Sequence, residues 1–349
     1  MPLLRSVSCI AALLFAVCGV AVAEQYGRLI SSRRIVVDQS GRGDFWTVQS
    51  AIDSVPSGNA DWITIIVKAG VYKEKVKIES EKEFIKLLGE GMHTTSIVWG
   101  DHEDATFSSF ANNSIAVGIS FVNSYNYPKV MDHSKILPAL AARVSGDESL
   151  FYRCGFFGVQ DTLWDDHGRH YFKKCRIEGA IDFIYGAGQS IYESCVLQVN
   201  AEMAGLTSGA YLVAQGRESE ADAGGFVFKG CMVTGGLTYL GRAWRPYARI
   251  VFYQTYMDKA RLSSGWGTIV VPEGWLAWTG EGKEYQLTFA EVDCFGPHYN
   301  TSKRVGWEKI NNVQAVSDMI NLSFIDTDGW TKPFSMTRKS KMGNTTIEM

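Results

Sequence analysis

No Cys-x-x-Cys pair, no cluster of His with Cys and no Gly-x-Ser-x-Gly turn occurs in this sequence. The first two absences leave no zinc or iron–sulfur spacing, and the third removes the common serine-hydrolase elbow. The six histidines show no triad-like arrangement with a serine. No long stretch carries apolar residues at a 3.6-residue period, which argues against a helical protein. Prolines are few, 8 against 35 glycines, and Val, Ile, Phe and Tyr fall in short runs, so an all-β solution rich in turns is favoured. Beyond residue 22 no apolar run is long enough to cross a bilayer. There is no basic block and no interleaving of basic with aromatic residues, and the formal charge is −3, so nucleic acid is excluded as a partner. A mildly acidic chain is not drawn onto an acidic polymer by bulk charge either.

What is present begins with a leader. Arg5 precedes a nearly continuous apolar stretch over 8–22, and Ala21-Val22-Ala23 offers a small-x-small cleavage site before Glu24. This predicts a secretory signal over 1–23, and no membrane anchor in the mature protein. Its loss removes Arg5 and takes the charge from −3 to −4. Cleavage also leaves five cysteines, Cys154, Cys175, Cys195, Cys231 and Cys294, an odd number. Sequons at Asn112, Asn300, Asn321 and Asn344 agree with secretion.

The most informative feature is a repeat. L-F-Y-R-C-G-F-F (150–157), H-Y-F-K-K-C-R-I (170–177), S-I-Y-E-S-C-V-L (190–197) and F-V-F-K-G-C-M-V (226–233) share an aromatic, a cysteine and a following apolar residue. A period near 20 with strand-like segments reads as a parallel β-solenoid, one unit per turn. Four of the five cysteines share one phase, pointing inward. They read as small hydrophobes in an interior ladder or as one disulfide between stacked neighbours, Cys195–Cys231 being the pair to test. Asp161 and Asp182 each lie seven residues after a repeat cysteine, so they face each other across adjacent turns, ~4.8 Å being the strand spacing. Two carboxylates that close push their pKa values apart, one becoming a candidate nucleophile or base and the other a candidate acid.

Thr47–Val55 carries helical spacing stopped by Pro56 and is expected to cover the open end of the solenoid. Strands are expected at 63–68, 76–78, 85–89, 96–99, 106–110, 115–123, 238–244, 249–255 and 268–271, with short helices and loops over 286–325 capping the far end. No linker divides 33–335, and the polar tail 336–349 is expected to be disordered.

The motifs G-V-Y-K-E (70–74), A-R-V-S-G-D-E-S-L-F-Y-R-C-G-F (142–156), G-V-Q-D-T-L-W (158–164), Y-F-K-K-C-R-I-E-G-A-I-D-F-I-Y-G (171–186), V-A-Q-G-R (213–217), L-G-R-A-W-R-P-Y (240–247) and E-G-W-L-A-W (273–278), in this order, resemble the plant pectin methylesterases. The resemblance spans residues ~34–331 and implies a right-handed parallel β-helix with short capping helices. The domain is set at 24–335, of the short type without an inhibitor-like pro-region. It implies hydrolysis of galacturonate methyl esters in pectin, giving pectate and methanol, with no metal and no cofactor. It implies Asp182 as nucleophile through an acyl-enzyme anhydride, Arg242 pairing with it, Asp161 as general acid and then base, and Gln160 as an oxyanion donor. It also implies secretion to the plant cell wall, action as a monomer, and an inhibitor protein that could bind over the cleft.

Two departures stand out. Pro138 opens P-A-L-A-A-R-V where the family has glutamine, so one oxyanion donor is missing, unless a water or Lys135 fills the gap. Ala243 replaces a proline and is expected to loosen the loop carrying Arg242 and Trp244. Trp244 and Tyr185 are candidates for sugar stacking, with Pro138 beside them in the cleft; Trp164 and Trp278 are weaker candidates. Phe183 reads as inward, and Tyr72 and Glu74 as holding a turn. Arg217 suits a substrate carboxylate or a structural salt bridge equally. A pectate lyase or polygalacturonase would need an acidic calcium cluster or two acids about a glycosidic oxygen, which these motifs do not supply. A pectin-binding protein with weakened turnover is the alternative that Pro138 supports.

Overall fold

Each full coil of the chain lays one short strand into each of three parallel sheets. In the computed structural model, residues 33–128, 132–262 and 265–332 are described. The leader, residues 24–32, the sequon at Asn344 and the tail 336–349 lie outside them. The first sheet has ten strands, from Arg33–Val37 to Thr288–Val292, and the other two have eight each. Neighbours in each sheet come from successive coils, always parallel and in register, and this is a parallel β-helix. The sheet that matters for function runs through Val76–Ile78, Phe107–Ser109, Ala142–Val144, Leu163–Asp165, Ile181–Gly186, Ala210–Gln215, Thr238–Ala243 and Trp275–Leu276.

The repeat explains the coil. Its aromatic sits on the first sheet and faces the interior: Phe151, Phe172, Tyr192, Phe228 and Phe252 pair in register, with successive ring centroids 5.0, 4.5, 4.7 and 4.6 Å apart and nearly parallel. After each strand the chain turns through a left-handed residue, Arg153, Lys174, Ser194, Gly230, Gln254 or Asp293, all with φ between +49° and +57°. The next residue points inward and is Cys154, Cys175, Cys195, Cys231, Thr255 or Cys294. Each sulfur is turned onto a main-chain carbonyl of the preceding coil, at 3.2–3.4 Å, and Thr255 Oγ1 does the same at 2.9 Å. The ladder reading holds: all five cysteines are free and no Cys195–Cys231 bridge forms, because each thiol is spent on its own corner.

A short helix α1 (Val48–Asp53) adds Val48, Ala51 and Ile52 to the core beside the first coils. Thr47 caps it, and the Glu74 carboxylate accepts from the Val48 and Gln49 N–H groups at 2.8 and 2.9 Å. Glu74 thus holds a helix start rather than a turn. The Tyr72 hydroxyl donates to the Lys68 carbonyl at 2.9 Å.

Three expected elements differ. Residues 115–123 form two strands with a corner at Gly118, φ +64°, which places them in different sheets. Of 268–271 only Val270 pairs with the solenoid, through one bridge to Thr238, while Gly265–Thr268 forms an antiparallel hairpin with Lys259–Leu262. Thr288–Val292 is no cap but the tenth strand of the first sheet, with Phe289, Ala290, Glu291 and Val292 all buried. The segment 313–330 does not close the end; its Val316, Met319, Ile320, Ile325 and Trp330 cover the outer face of that sheet against Leu150, Tyr171, Ile191 and Val251. Among the described residues no helix is long and apolar enough to cross a membrane. Asn112, Asn300 and Asn321 are exposed.

Candidate active site

Parallel register brings the two aspartates together. Gln160 bridges Ile181 of the next coil, and the Asp161 N–H donates to the Ile181 carbonyl at 2.9 Å, so Asp161 and Asp182 occupy adjacent rungs. Both have left-handed backbones, φ +58° and +44°, a conformation that non-glycine residues adopt at a cost and that clusters at functional sites. Asp182 owes its direction to a bulge. Ile181 pairs with Tyr211 and Ile184 with Val213, so Asp182 and Phe183 together oppose Leu212 alone. Phe183 turns inward and is fully buried. The cost of the bulge falls on Gly179, where a Cβ would lie 2.1 Å from that of Phe183.

Arg242 comes from two strands further on. Its Nε donates to Asp182 Oδ1 at 2.8 Å, and its Nη2 to Oδ2, a two-point fork that fixes the carboxylate. Its guanidinium is clamped between the rings of Tyr211 and Trp278, 4.2 and 4.1 Å from their centroids. Trp278 therefore serves Arg242 with one face. The expected loosening at Ala243 is not seen: Ala243 is fully buried, pairs with Gln215, and its carbonyl accepts from Thr279 Oγ1 at 2.9 Å.

The two acids are not equivalent. Burial and the neighbouring Asp182 charge push Asp161 up to about 7, with Arg242 opposing more weakly. Burial also raises Asp182, but the Arg242 fork works against it. Burial thus raises both acids, and the difference between them is the arginine: only Asp182 has a guanidinium forked onto its carboxylate to favour the charged form.

Outward residues of the same sheet form a row in register: Arg143, Trp164, Tyr185, Ala214 and Arg242. Trp164 stacks on Tyr185 at 5.5 Å, and Trp244 meets Tyr185 edge-on at 5.8 Å. Tyr185 is only 9% exposed, so it supports the two tryptophans instead of offering a face to a sugar. On the far side of Trp164 lies Arg143, 4.0 Å from the ring and held by Asp166 at 2.6 Å. Pro138 is exposed and directly precedes Ala139, whose N–H donates to the Gln160 carbonyl at 3.1 Å. Lys135 does not fill the glutamine's place: its Nζ is held by Asp132 at 3.1 Å on an exposed turn. Arg217 makes no salt bridge and is bound by main-chain carbonyls instead.

The Pectinesterase family model matches residues 34–328. The chain belongs to the pectinesterase family. It is 48% identical over 306 residues to the probable pectinesterase 55 of Arabidopsis thaliana, covering 85% of this chain and 90% of that one. The probable pectinesterase 29 of the same plant is 47% identical over 310 residues, covering 87% and 90%. A pectin methylesterase from carrot superposes with a TM-score of 0.76 at 27% identity, covering 87% of this chain and 96% of the carrot chain. The enzyme of Aspergillus niger, at 22% identity and a TM-score of 0.70, shares the fold. This pectinesterase is accordingly a carboxylic ester hydrolase, and the Asp161–Asp182–Arg242 constellation is its candidate centre.

Sequence reasoning missed Tyr211, whose role depends on coil register and not on any local motif. Replacing Tyr211 by leucine is expected to lower the kcat for ester hydrolysis roughly 3- to 30-fold, the range of a desolvated cation–π contact of ~0.5–2 kcal/mol. Tyr211→Phe should restore it. Equal rates for the leucine and phenylalanine variants would show that Trp278 and the carboxylate position Arg242 unaided.

Proposed function

We propose that this pectinesterase hydrolyses the methyl esters of galacturonate units in pectin, releasing methanol, with Asp182 as nucleophile and Asp161 as general acid and base. The observation that carries this reading is the asymmetry of the pair: one carboxylate is forked by Arg242, and its neighbour one coil away is pushed up to about 7 by burial and by the Asp182 charge. Asp182 attacks the ester carbonyl carbon. The oxyanion that forms is met by the Gln160 amide, and collapse expels methoxide oxygen, which takes the proton of Asp161 and leaves as methanol. An anhydride links Asp182 to the sugar. Asp161, now a carboxylate, takes a proton from a water that attacks the anhydride. The pectate carboxylate is released, and both aspartates return to their starting forms. Relatives solved with hexasaccharides support the substrate class.

The reading carries further proposals. The catalytic unit spans 24–335 after removal of 1–23, and the mature enzyme works as a monomer at the cell wall. The cleft above the aspartates is open to an inhibitor protein. A pectin binder with weakened turnover is the second reading, and Pro138 is what favours it.

Methanol release from highly methylated pectin by the chain from Glu24 onward tests the main reading, and correctly folded protein that releases none overturns it. The pH profile tests the assignment of roles. The first step needs Asp161 protonated, so kcat should fall about tenfold per pH unit above about 7, as that proton is lost. The acid limb should lie above the usual aspartate range, because Asp182 must be ionised and its pKa is raised by burial. A rate that stays level from pH 6 to 9 would remove Asp161 from the acid role.

A further inference from the structure

Two buried carboxylates and one guanidinium meet at the far end of the solenoid. Phe252 faces the interior, and its partner on the tenth strand, where another ring would continue the stack, is Glu291. Arg304 reaches in from the closing segment 299–311 and forks it, Nε to Oε1 at 2.5 Å and Nη2 to Oε2 at 3.2 Å. Its Nη1 goes to the carbonyls of Val271 and Pro272, both at 3.1 Å. Arg304 lies against Gly274, φ +74°, where a Cβ would come within 2.4 Å of its Cδ. Glu308 is the second acid. Its side chain is as buried as that of Glu291, yet its Oε2 is 3.9 Å from Arg304 Nε. Neither of its oxygens makes a hydrogen bond of ordinary geometry, and nor does Nε1 of the fully buried Trp275 beside them.

The charges do not balance if both acids are ionised. The groups facing Glu308 are Glu291 from the tenth strand, Arg304 from its own segment, Trp275 from the active-site sheet and Cys294 from the corner after the tenth strand. Burial pushes the Cys294 thiol up to about 12 and raises the Tyr299 phenol beside Glu291, so both are neutral. Lys309 sends its Nζ to the Leu287 carbonyl at 2.8 Å, and Glu273 is exposed. One cation thus serves two acids, and its fork is taken. A buried carboxylate with neither a cation nor a donor in contact is costly enough to keep its proton. Burial first, and then the Glu291 charge, push Glu308 up to about 9, with Arg304 opposing more weakly.

The segment that carries Arg304 and Glu308 is tied to the coils by main-chain bonds from the Val305 N–H to Glu273, the Lys309 N–H to Phe289 and the Asn311 N–H to Glu291, at 3.1, 3.0 and 2.8 Å. An element held this sparsely opens at a lower free energy than the ladder of a sheet. We infer that Glu308 is a proton-held latch: as a neutral acid it lets the segment 299–311 close the end of the solenoid, and once ionised it releases that segment while the coils stay wound. The closure lies next to Arg242. Trp275 and Leu276 pair with Gly241 and Arg242, and Trp278, two residues on, holds the guanidinium. The latch therefore sets an alkaline limit within which the Trp278 clamp has a firm base, whatever ester the enzyme cuts.

In the open segment Glu308 meets water and ionises near its ordinary value of 4.5. Between there and about 9 only the closed form holds the proton, so opening becomes easier by about tenfold per pH unit. The stability that the latch contributes is full below about 4.5, falls as pH rises and is lost above about 9. The test is amide hydrogen exchange in the mature protein from pH 5 to 8, corrected for the intrinsic rate. In wild type the N–H groups of Val305, Lys309 and Asn311 should lose protection about tenfold per pH unit, while those of strands Arg169–Lys173 and Gln189–Glu193 keep theirs. In Glu308→Gln, which keeps the shape and cannot ionise, protection of the three should not change with pH. The same slope in the variant as in wild type overturns the inference. Should the variant fail to fold, wild type decides alone: protection at the three that is level with pH, or that falls equally in the two strands, overturns it.

Discussion

Asp182→Asn is expected to cut methanol release from pectin by roughly 10⁴-fold or more, in kcat, with KM little changed. Asparagine fills the same space beside Arg242 but cannot form the anhydride, so the loss falls on the chemical step. The guanidinium loses its counter-ion yet keeps its clamp between Tyr211 and Trp278. A thermal melt should therefore show a folded protein, with a lower Tm because a partly buried ion pair has been broken. Trapping should agree with the kinetics: hydroxylamine should intercept the anhydride in wild type and find nothing in the variant. A variant retaining more than about one-hundredth of the rate would show that water attacks the ester directly and that Asp182 only stabilises charge.

Pro138→Gln is expected to raise kcat, by up to the ~100- to 1,000-fold that a single oxyanion donor is worth. The structure makes the substitution easy to accommodate. Pro138 is exposed, donates no N–H to the coil, and sits one residue before the Ala139 N–H that is bonded to Gln160. A glutamine there would extend from the rung beside Gln160, towards the same oxyanion. KM should change little, since the added hydrogen bond forms with the tetrahedral intermediate and not with the ground-state ester. An unchanged kcat would mean that Gln160 alone satisfies the oxyanion, and the weakened-binder reading would lose its one support.

The coil was legible because stacking makes the same demand in every turn. An aromatic that fills the interior in one coil must be matched in the next, so the phase of Phe151, Phe172 and Tyr192 shows in the spacing of the chain. The Asp161–Asp182 juxtaposition followed from that phase. The bulge did not, because nothing in D-F-I-Y says that Asp182 and Phe183 will oppose a single Leu212; that depends on the partner strand. Tyr211 was hidden for a related reason, since the longer excursion over 200–209 breaks the near-20 period just before its strand. Arg217 was left between a substrate carboxylate and a structural salt bridge, and the structure shows main-chain carbonyls where the salt bridge was expected, because whether an arginine finds a carboxylate of its own protein is decided by loops from several coils. Tyr185 looked like a platform from its place beside the aspartates, but a residue flanked by two tryptophans is covered by them. The segment 313–330 carries its apolar residues in short, irregular runs, so only the structure shows that they cover the outer face of the first sheet.

The distance between acid and nucleophile is not set by a loop. Asp161 and Asp182 stand on consecutive coils, so their separation is tied to the pitch of the solenoid, which main-chain hydrogen bonds hold over the whole length of the molecule. Most enzymes can drift such a distance by lengthening a turn or tilting a helix. Here an insertion between coils would loop outward and leave the pitch as it was. The gap between the reacting groups can take only whole-number values of one repeat: adjacent rungs, or a rung further away and out of reach. Evolution of rate in this scaffold is therefore confined to what stands on each rung and what leans over it, such as the residue at 138 and the rings about Arg242, while the spacing of the chemistry stays fixed for as long as the coil does.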